Sequence, residues 1–448
     1  MTHHVLVGSG IAALSAAEAI RGADAAARIT LVSDETGPFY SRPGLAYLLT
    51  GAIPERQLSI RSKAEVSALS IKRISARAEQ LWPARHELRL SDDSILGYDR
   101  LLIATGAASI APVFPGADLD GVVLLDGVDQ ARDFVGRAKK AQSAVVIGGG
   151  STAIELAEGL QARGVQAHYF LRGDRYWSRV LDAEESALVE AGLARTGVAV
   201  HRRTEVVRVL GRNGRVVAVE TSHGDTLKCQ LVAVAIGVRP RVTLADEAGL
   251  EVDRGIVVSE RMESSAADVF AAGDVAQAFD PALGRAVLDT LWSAAAEQGR
   301  VAGLNMAGRP TVFHRHVALN VTQLGDLVTT VIGEVGGSED PDLITITRGQ
   351  SEAWSGATEG TTLVRHDATD RIRIHINDRT ILGAVIMGDQ ALSLPLTRLI
   401  ANRVDITPIR GTLIERPEML ASTLLDFWHS LTPWDHAPPY DHHARLAG

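Results

Sequence analysis

Residues 4–13 read HVLVGSGIAA, an apolar run that ends in a glycine cluster and continues into an alanine-rich segment. A buried parallel strand, a tight turn and the start of a helix have this pattern. Gly8 allows the turn, and Gly10 lets the backbone come close to a pyrophosphate at the N-terminus of the helix. Ala13 fills the third small position of this fingerprint. The stretch therefore predicts a dinucleotide-binding turn.

The residues after this turn agree with that prediction. A second strand is predicted at residues 28–32, and the acids Asp34 and Glu35 follow it. An acid at that distance from the glycines is placed to bond a ribose hydroxyl group. One turn of this kind is nevertheless weak evidence, because glycine turns between strands and helices also occur in α/β proteins for steric reasons alone.

The pattern occurs a second time, about 140 residues later. Residues 143–156 read SAVVIGGGSTAIEL, and the next strand is predicted at residues 165–171. Gly148 and Gly150 correspond to the two glycines of the first turn. Two copies in one chain, each between a strand and a helix, indicate two bound dinucleotides.

Composition restricts the function further. The 448 residues, of which 46% are hydrophobic, suit a globular protein of two or three domains. A formal net charge of −9 gives no general attraction to nucleic acid or to an anionic membrane surface. No run of 18 apolar residues is present and the N-terminus has no basic leader, so we expect a cytoplasmic protein without a membrane partner. The single cysteine, Cys229, excludes dithiol redox chemistry within this chain.

Three further stretches resemble the motifs of one flavoprotein superfamily. Residues 98–106, YDRLLIATG, are similar to the segment that leads from the first FAD segment towards the NAD domain. Residues 231–240, LVAVAIGVRP, resemble its counterpart at the end of the NAD domain, and residues 268–274, DVFAAGD, resemble the second FAD motif. Over about residues 1–310 the chain resembles the two-dinucleotide-binding-domain flavoproteins of the pyridine nucleotide–disulfide oxidoreductase superfamily.

The resemblance implies an α/β fold with two Rossmann-like dinucleotide-binding domains, of the glutathione-reductase-like FAD/NAD(P) type, and an α+β C-terminal interface domain. The expected domains are FAD segments at 1–110 and 242–310, an NAD(P)-binding domain at 111–241 and a C-terminal domain at 311–448. By resemblance, the last domain would form a homodimer contact.

The predicted C-terminal domain differs in its sequence pattern from the rest of the chain. Short apolar runs between turn-like clusters are typical of antiparallel strands, and helices are predicted to follow at about 392–402 and 418–429. The tail at 434–448 is interpreted as an exposed or partner-bound strap. The predicted strands are 328–333, 343–347, 361–365, 372–376 and 381–387.

The resemblance also implies which residues bind the cofactors. We expect FAD at the first glycine turn, at the acids after the second strand and at the two later FAD motifs, and NAD(P)H at the second turn. The predicted cofactor-binding residues are Gly8, Gly10, Ile11, Ala12, Asp34, Glu35, Arg42, Pro43, Ala78, Ala104, Thr105, Gly106, Gly148, Gly150, Ser151, Thr152, Ile154, Arg172, Arg175, Gly237, Gly273, Asp274 and Trp292. No metal site is predicted.

A more specific resemblance involves residues 39–51, FYSRPGLAYLLTG, and residues 288–299, LDTLWSAAAEQG, which resemble a helix that points its N-terminus at the flavin. Both are similar to segments of the one-component ferredoxin, rubredoxin and nitrite reductase flavoproteins and of the apoptosis-inducing-factor type. In those proteins a lysine near the flavin pairs with a glutamate. Here the glutamate is Glu155, but Tyr47 stands at the lysine position. Tyr47 and Glu155 are therefore the candidate catalytic residues, with simple packing as the alternative for Tyr47.

The expected reaction is hydride transfer from NAD(P)H through FAD to an acceptor. In the branch of coenzyme A disulfide reductases and NADH oxidases this loop has a reactive cysteine, but here Pro43 or Gly44 stands there. A ferredoxin- or rubredoxin-like carrier is the favoured acceptor. The alternatives are a small-molecule reductase or oxidase, and an FAD-binding redox sensor or assembly subunit. Arg172 and Arg175 favour NADPH, whereas Asp174 leaves NADH open.

Overall fold

The computed structural model describes residues 1–280, 284–336, 346, 348–355, 360–366 and 370–431. The predicted tail at 434–448 and all of the predicted strand at 343–347 except Ile346 lie outside these residues. In the described residues the strands are β1 His3–Val7, β2 Arg28–Ser33, β3 Ile71–Ser75, β4 Ala78–Trp82, β5 Glu87–Leu90, β6 Ile95–Gly97, β7 Arg100–Ile103, β8 Ala107–Ser109, β9 Val122–Val123, β10 Ser143–Ile147, β11 Gln166–Phe170, β12 Ala199–His201, β13 Val206–Arg212, β14 Arg215–Thr221, β15 Thr226–Lys228, β16 Leu231–Val234, β17 Val238–Pro240, β18 Ile256–Val258, β19 Val269–Ala271, β20 Ala276–Asp280, β21 Arg285–Leu288, β22 Leu319–Leu324, β23 Leu327–Gly333, β24 Thr361–His366, β25 Arg371–Ile376 and β26 Ile381–Met387.

Helices connect and cover these strands. The α-helices of the described residues are α1 Ile11–Ala23, α2 Leu45–Thr50, α3 Lys63–Ala68, α4 Val128–Ala138, α5 Ser151–Gln161, α6 Ala183–Arg195, α7 Thr243–Asp246, α8 Trp292–Met306, α9 Ser393–Ala401, α10 Thr407–Glu415 and α11 Leu420–Ser430. Short 3₁₀ helices occur at Glu55–Leu58, Pro83–Arg85, Glu352–Ser355 and Pro417–Met419. None of the described helices has both the length and the apolarity needed to cross a membrane.

The chain divides into two compact units. The first unit consists of residues 1–172, 201–315 and 344–351. The second unit consists of residues 173–200, 316–343 and 352–448. This division does not address the domain borders expected at residues 110, 241 and 310, which stay predictions.

A parallel sheet in the first unit contains the first glycine turn. Its strand order is β19-β7-β1-β2-β3, with every neighbour parallel. The central strand β1 has Val5 opposite Thr30 on one side and Leu101 on the other, and Val5 is fully buried. An apolar strand covered on both faces is typical of parallel α/β sheets. The predicted strand, turn and helix are confirmed.

A second parallel sheet repeats this arrangement. Strands β11, β10, β16 and β9 lie in that order and pair in parallel, and α5 begins directly after the turn that follows β10. Val145 of β10 lies opposite His168 and Val232. The predicted strand Ser143–Ile147 is confirmed to the residue. The α/β fold class with two Rossmann-like halves is therefore the observed one.

Helices α1 and α8 pack against each other at unusually short range. A Cβ atom on Gly299 would lie 2.1 Å from the carbonyl oxygen of Ala12, and one on Gly303 would lie 2.5 Å from that of Ala16. Glycine is required at both positions, since any side chain would push the helices apart. This contact fixes the start of α1, which carries the first glycine turn.

The second unit contains an antiparallel sheet of order β22-β23-β26-β25-β24, with α9 and α11 in its core. Four of the predicted strands correspond to β23, β24, β25 and β26, and both predicted helices are present. The predicted antiparallel sheet with helices is therefore confirmed in the described residues. Sequence reasoning missed α10.

A buried ion pair joins this sheet to a helix of the same unit. Arg373 of β25 forms two hydrogen bonds with the carboxylate of Glu185, which is fully buried in α6.

Candidate functional site

The first glycine turn is shaped by one steric contact. Gly8 has a φ of +118°, and a Cβ atom there would lie 2.2 Å from the carbonyl oxygen of Ala104. Only glycine fits, because both the backbone conformation and the space exclude a side chain. Gly10 differs, since a Cβ atom on it would meet no described protein atom within 4 Å. Gly8 thus shapes the turn, and Gly10 faces open space that a ligand can occupy.

The second turn uses the same contact. Gly148 has a φ of +146°, and a Cβ atom there would lie 2.2 Å from the carbonyl oxygen of Ala235. Gly149 faces open space, with no described atom within 4 Å of a Cβ atom. Ala104 and Ala235 begin the ATG and AIG stretches of the two sequence motifs, so each motif forms the wall of one turn. Ala235 was not among the predicted residues.

Both turns leave helix N-termini available to an anion. The N-cap residues of α1 and α5 are Gly10 and Gly150, neither provides a side-chain cap, and neither helix has an acid in its first turn. The first N–H groups of such a helix point away from it and attract negative charge. The residues present therefore fit the diphosphates of two dinucleotides, FAD at the first turn and NAD(P)H at the second.

Glu35, and not Asp34, faces the first turn. The Glu35 carboxylate accepts hydrogen bonds from the hydroxyl groups of Ser9 at 2.9 Å and Tyr40 at 3.3 Å and pairs with the guanidinium of Arg42 at 2.8 Å. Burial alone would raise the pKa of Glu35, but these three partners lower it below its ordinary value. Asp34 is exposed. Glu35 thus fits the predicted ribose-binding acid.

Arg42 connects this acid to a second one. Its guanidinium also donates to the backbone carbonyl oxygen of Asp126 at 2.5 Å. The side chain of Asp126 accepts the N–H of Ser109 at 2.7 Å and pairs with Arg348 at 2.7 Å. Although burial opposes ionisation, these donors lower the pKa of Asp126. Asp126 and Arg348 were both missed, because no motif of the sequence contains them.

The second FAD motif places Asp274 inside the first unit. Gly273 has a φ of +82°, and its N–H donates to the side chain of Gln298 at 2.8 Å, which joins this motif to α8. Burial raises the pKa of Asp274, while the charges of Arg348 and Arg42 oppose that rise. An acid with two nearby cations is a suitable acceptor for ligand hydroxyl groups.

The two candidate catalytic residues lie on helices that pack together. Gly159 of α5 is close enough to α2 that a Cβ atom would lie 2.9 Å from the Cβ of Leu49. Burial raises the pKa of Glu155 on α5 to about 7, opposed by the charge of Arg348. Tyr47 on α2 is 49% exposed, and no side-chain hydrogen bond joins it to Glu155 in the described residues. Their catalytic roles stay predictions.

A cavity lies beside the second turn. It is lined by Gly150 and Thr152 at the start of α5, by Ala235 and Gly237 after β16, and by Arg348. Ser151 is buried in the same helix start, and its hydroxyl donates to the backbone oxygen of Arg348 at 3.3 Å. The predicted residues of this turn are therefore brought together, and Arg348 joins them from a distant part of the sequence.

The remaining predicted residues are distributed around these features. Thr105 bonds through its hydroxyl to the backbone oxygen of Arg241 at 3.0 Å. Ile154 is fully buried, Ala78 begins β4, Trp292 begins α8 and Arg172 is exposed just after β11. Further predicted positions are Ile11 and Ala12 in the first turn of α1, Pro43 before α2, Gly106 with a φ of +67°, and Arg175. Their contacts with cofactors stay predictions.

The described residues contain neither an exposed thiol nor a cluster of three or more potential metal ligands. Cys229 is fully buried in a hydrophobic cluster, and burial raises the pKa of its thiol to about 12. A thiol of this kind is not a nucleophile near neutral pH. No group of three or more histidine, cysteine or acidic side chains suitable for a metal is present in the part of the chain that the structure describes.

Two dinucleotide-binding turns on two parallel sheets define a class of oxidoreductase that holds a flavin and a nicotinamide nucleotide in one chain. Residues 2–299 match the family described as pyridine nucleotide-disulphide oxidoreductase. The chain belongs to this family. It is an oxidoreductase whose cofactors are FAD and NAD(P)H.

Individual relatives agree with that assignment. The chain is 31% identical over 320 residues to rhodocoxin reductase of Rhodococcus erythropolis, covering 69% of this chain and 73% of the relative. It is 27% identical over 419 residues to the NADH-dependent phenylglyoxylate dehydrogenase subunit epsilon of Aromatoleum evansii, covering 93% and 95%. The crystal structure of a ferredoxin reductase from Rhodopseudomonas palustris has the same fold, with a TM-score of 0.82, 23% identity and coverage of 95% and 100%.

Proposed function

We propose that the protein oxidises NAD(P)H and passes the electrons, by way of FAD, to a small ferredoxin- or rubredoxin-like carrier protein. The observation that carries this proposal is the pair of sterically equivalent turns at Gly8 and Gly148 in a chain without a reactive thiol. Cys229 is the single thiol of the sequence, and it is buried with a pKa raised to about 12, so it would not relay electrons from a bound flavin. Relatives named as reductases of carrier proteins support such an acceptor.

The chain's own residues hold and orient the two nucleotides. The open N–H groups at the starts of α1 and α5 bind the diphosphates, and Glu35 orients the ribose of the first nucleotide. When bound, FAD accepts a hydride from NAD(P)H and releases the electrons to an acceptor. Glu155, with a pKa of about 7, is able to hold or release a proton at its carboxyl oxygen at neutral pH.

The organisation of the chain is part of the proposal. FAD segments at 1–110 and 242–310 enclose the NAD(P)-binding domain at 111–241, and residues 311–448 form an interface domain through which two copies form a homodimer. The protein works in the cytoplasm. The domain borders and the homodimer rest on the family resemblance of the sequence, and the location rests on the lack of an 18-residue apolar run. Size-exclusion chromatography with light scattering tests the dimer.

The test is an anaerobic titration of the purified flavoprotein with NADH and with NADPH, followed by the flavin absorption band. We expect rapid bleaching by one nucleotide, then reoxidation within seconds by a ferredoxin or a rubredoxin. The same titration decides between NADPH, which Arg172 and Arg175 favour, and NADH, which the names of several relatives favour. A flavin that stays oxidised with both nucleotides contradicts the proposal.

A second candidate function is supported by the relative in Aromatoleum evansii, which matches almost the full chain and is named as a subunit of a larger dehydrogenase. In that function the chain exchanges electrons between NAD(H) and partner subunits instead of a diffusing carrier. Purification from the native organism separates the two functions. A stable complex with further subunits supports the second, whereas a free flavoprotein reoxidised by a carrier supports the first.

A further inference from the structure

Residues far from the glycine motifs in sequence are anchored beside the second turn of the first unit. The carbonyl oxygen of Ile346 accepts the N–H of Val238 at 2.9 Å. The carbonyl oxygen of Arg348 accepts the hydroxyl of Ser151 at 3.3 Å, and that of Gln350 accepts the N–H of Thr290 at 3.0 Å. The backbone of Arg348 is therefore held by the start of α5.

Arg348 lines the cavity beside the second turn. One guanidinium nitrogen pairs with Asp126 at 2.7 Å. The Nε atom is buried and has no hydrogen-bond partner among the described residues. Gly150, Thr152 and Gly237 line the same cavity. A buried donor without a partner is costly, and an anionic ligand at this helix start would satisfy it.

We propose that Arg348 binds the diphosphate of the nicotinamide dinucleotide, as a cation that the chain adds to the second glycine turn. The proposal rests on the proposed function only in naming NAD(P)H as the ligand of that turn. A guanidinium offers two donors to adjacent phosphate oxygens, and its charge adds to that of the α5 N-terminus.

The surrounding charges suit this role. Burial, together with the charges of Arg42 and Arg241, lowers the pKa of Arg348, while Asp126 and Asp274 act in the opposite direction. The charge of Arg348 also favours the ionised form of Glu155, which has no lysine at position 47 to pair with. Arg348 is thus a cation near acids of both nucleotide sites, and the cavity lining assigns it to the second.

The test measures binding, with no turnover, in variants of the full-length holoprotein. Dissociation constants for NAD⁺, ADP-ribose and AMP are measured calorimetrically for wild type, Arg348→Gln, Arg348→Lys and the exposed control Arg309→Gln. We expect Arg348→Gln to weaken NAD⁺ and ADP-ribose at least tenfold and AMP much less. Arg348→Lys should restore only part of the affinity, because an ammonium keeps the charge but not the paired donors, and Arg309→Gln should leave all three values unchanged.

Other outcomes overturn the proposal. The proposal is wrong if Arg348→Gln binds all three nucleotides as tightly as wild type does. It is also wrong if Arg348→Gln loses affinity for NAD⁺ but keeps its affinity for ADP-ribose, which has the same diphosphate. Loss of FAD with unchanged NAD⁺ affinity would assign Arg348 to the first turn instead. A second measurement uses the wild-type protein and therefore does not depend on whether Arg348→Gln folds. NAD⁺ should reduce the labelling of Arg348 by phenylglyoxal and leave the labelling of Arg309 unchanged. If NAD⁺ has the same effect on both residues, the contact is refuted. Binding of NAD⁺ is measured separately from flavin reduction. A protein that binds NAD⁺ through Arg348 but whose flavin is not reduced would therefore contradict the proposed function and not the role of Arg348.

Discussion

Gly148→Ala is the change for which the structure gives the sharpest expectation. The new Cβ atom would lie 2.2 Å from the carbonyl oxygen and 2.8 Å from the carbonyl carbon of Ala235. Both are backbone atoms just after the end of strand β16, so neither can move aside as a flexible side chain would. In addition, a φ of +146° is a conformation that residues with a side chain rarely adopt. The turn has to change its shape to accept alanine.

The size of the effect follows from that strain. Forcing a residue into a sparsely populated backbone conformation costs about 1–3 kcal/mol, and each 1.4 kcal/mol is tenfold in affinity, so NAD(P)H binding should weaken about 5- to 150-fold. The nucleotide binds to the wild-type conformation of the turn. In Gly148→Ala the turn reaches that conformation only by taking up this strain, so the strain energy is lost from the binding free energy. FAD content should stay at the wild-type level, because the first turn is a separate structure around Gly8.

The assay is the dissociation constant of NAD⁺ measured by calorimetry, together with the flavin content of the purified protein. Gly136→Ala, in α4 and outside both turns, is the control, since a Cβ atom there meets no described atom within 4 Å and no positive φ is involved. Its affinity should be within about twofold of wild type. The reasoning is refuted if Gly148→Ala binds NAD⁺ as wild type does, or if the two variants weaken equally.

Three other changes test the packing and the buried groups. Gly299→Ala should separate α1 from α8, because its Cβ atom would lie 2.1 Å from the carbonyl oxygen of Ala12. We expect this variant to have a lower FAD content and a lower melting temperature than wild type. Gly22→Ala is the control, since a Cβ atom there meets no described atom within 4 Å. Cys229→Ala should leave NAD(P)H-driven reduction of an artificial dye unchanged, since the thiol is buried and its pKa is about 12; a large loss of turnover would contradict a purely structural thiol. Asp289 is 3% exposed and burial raises its pKa to about 7, so the folded protein loses stability as the pH rises from about 4 to 7, while the unfolded chain ionises. The melting temperature of Asp289→Asn should therefore exceed that of wild type at pH 8 and approach it near pH 4, and a difference independent of pH would count against this.

Sequence reasoning located both turns because their chemistry is local. Gly8 and Gly148 each stand between an apolar strand and a helix, so a few adjacent residues determine the geometry. The strand Ser143–Ile147 was predicted to the residue for the same reason, since a short apolar run directly before a glycine turn and a helix is typical of a buried parallel strand. The sequence also proposed two acids after β2, but only the structure distinguishes Glu35, which faces Ser9, from exposed Asp34.

The electrostatics of the site could not be predicted in this way, as position 47 illustrates. The motif comparison shows that the family lysine is absent and that Glu155 remains, but it gives no position for a compensating charge. Coulomb interactions depend on distance in space and not on position in the chain. Arg348 pairs with Asp126 across 222 residues of sequence, and neither belongs to a motif. A departure from a motif therefore identifies a charge that the resemblance implies and this chain lacks, while only the folded structure shows that Arg348 is near enough to act on Glu155.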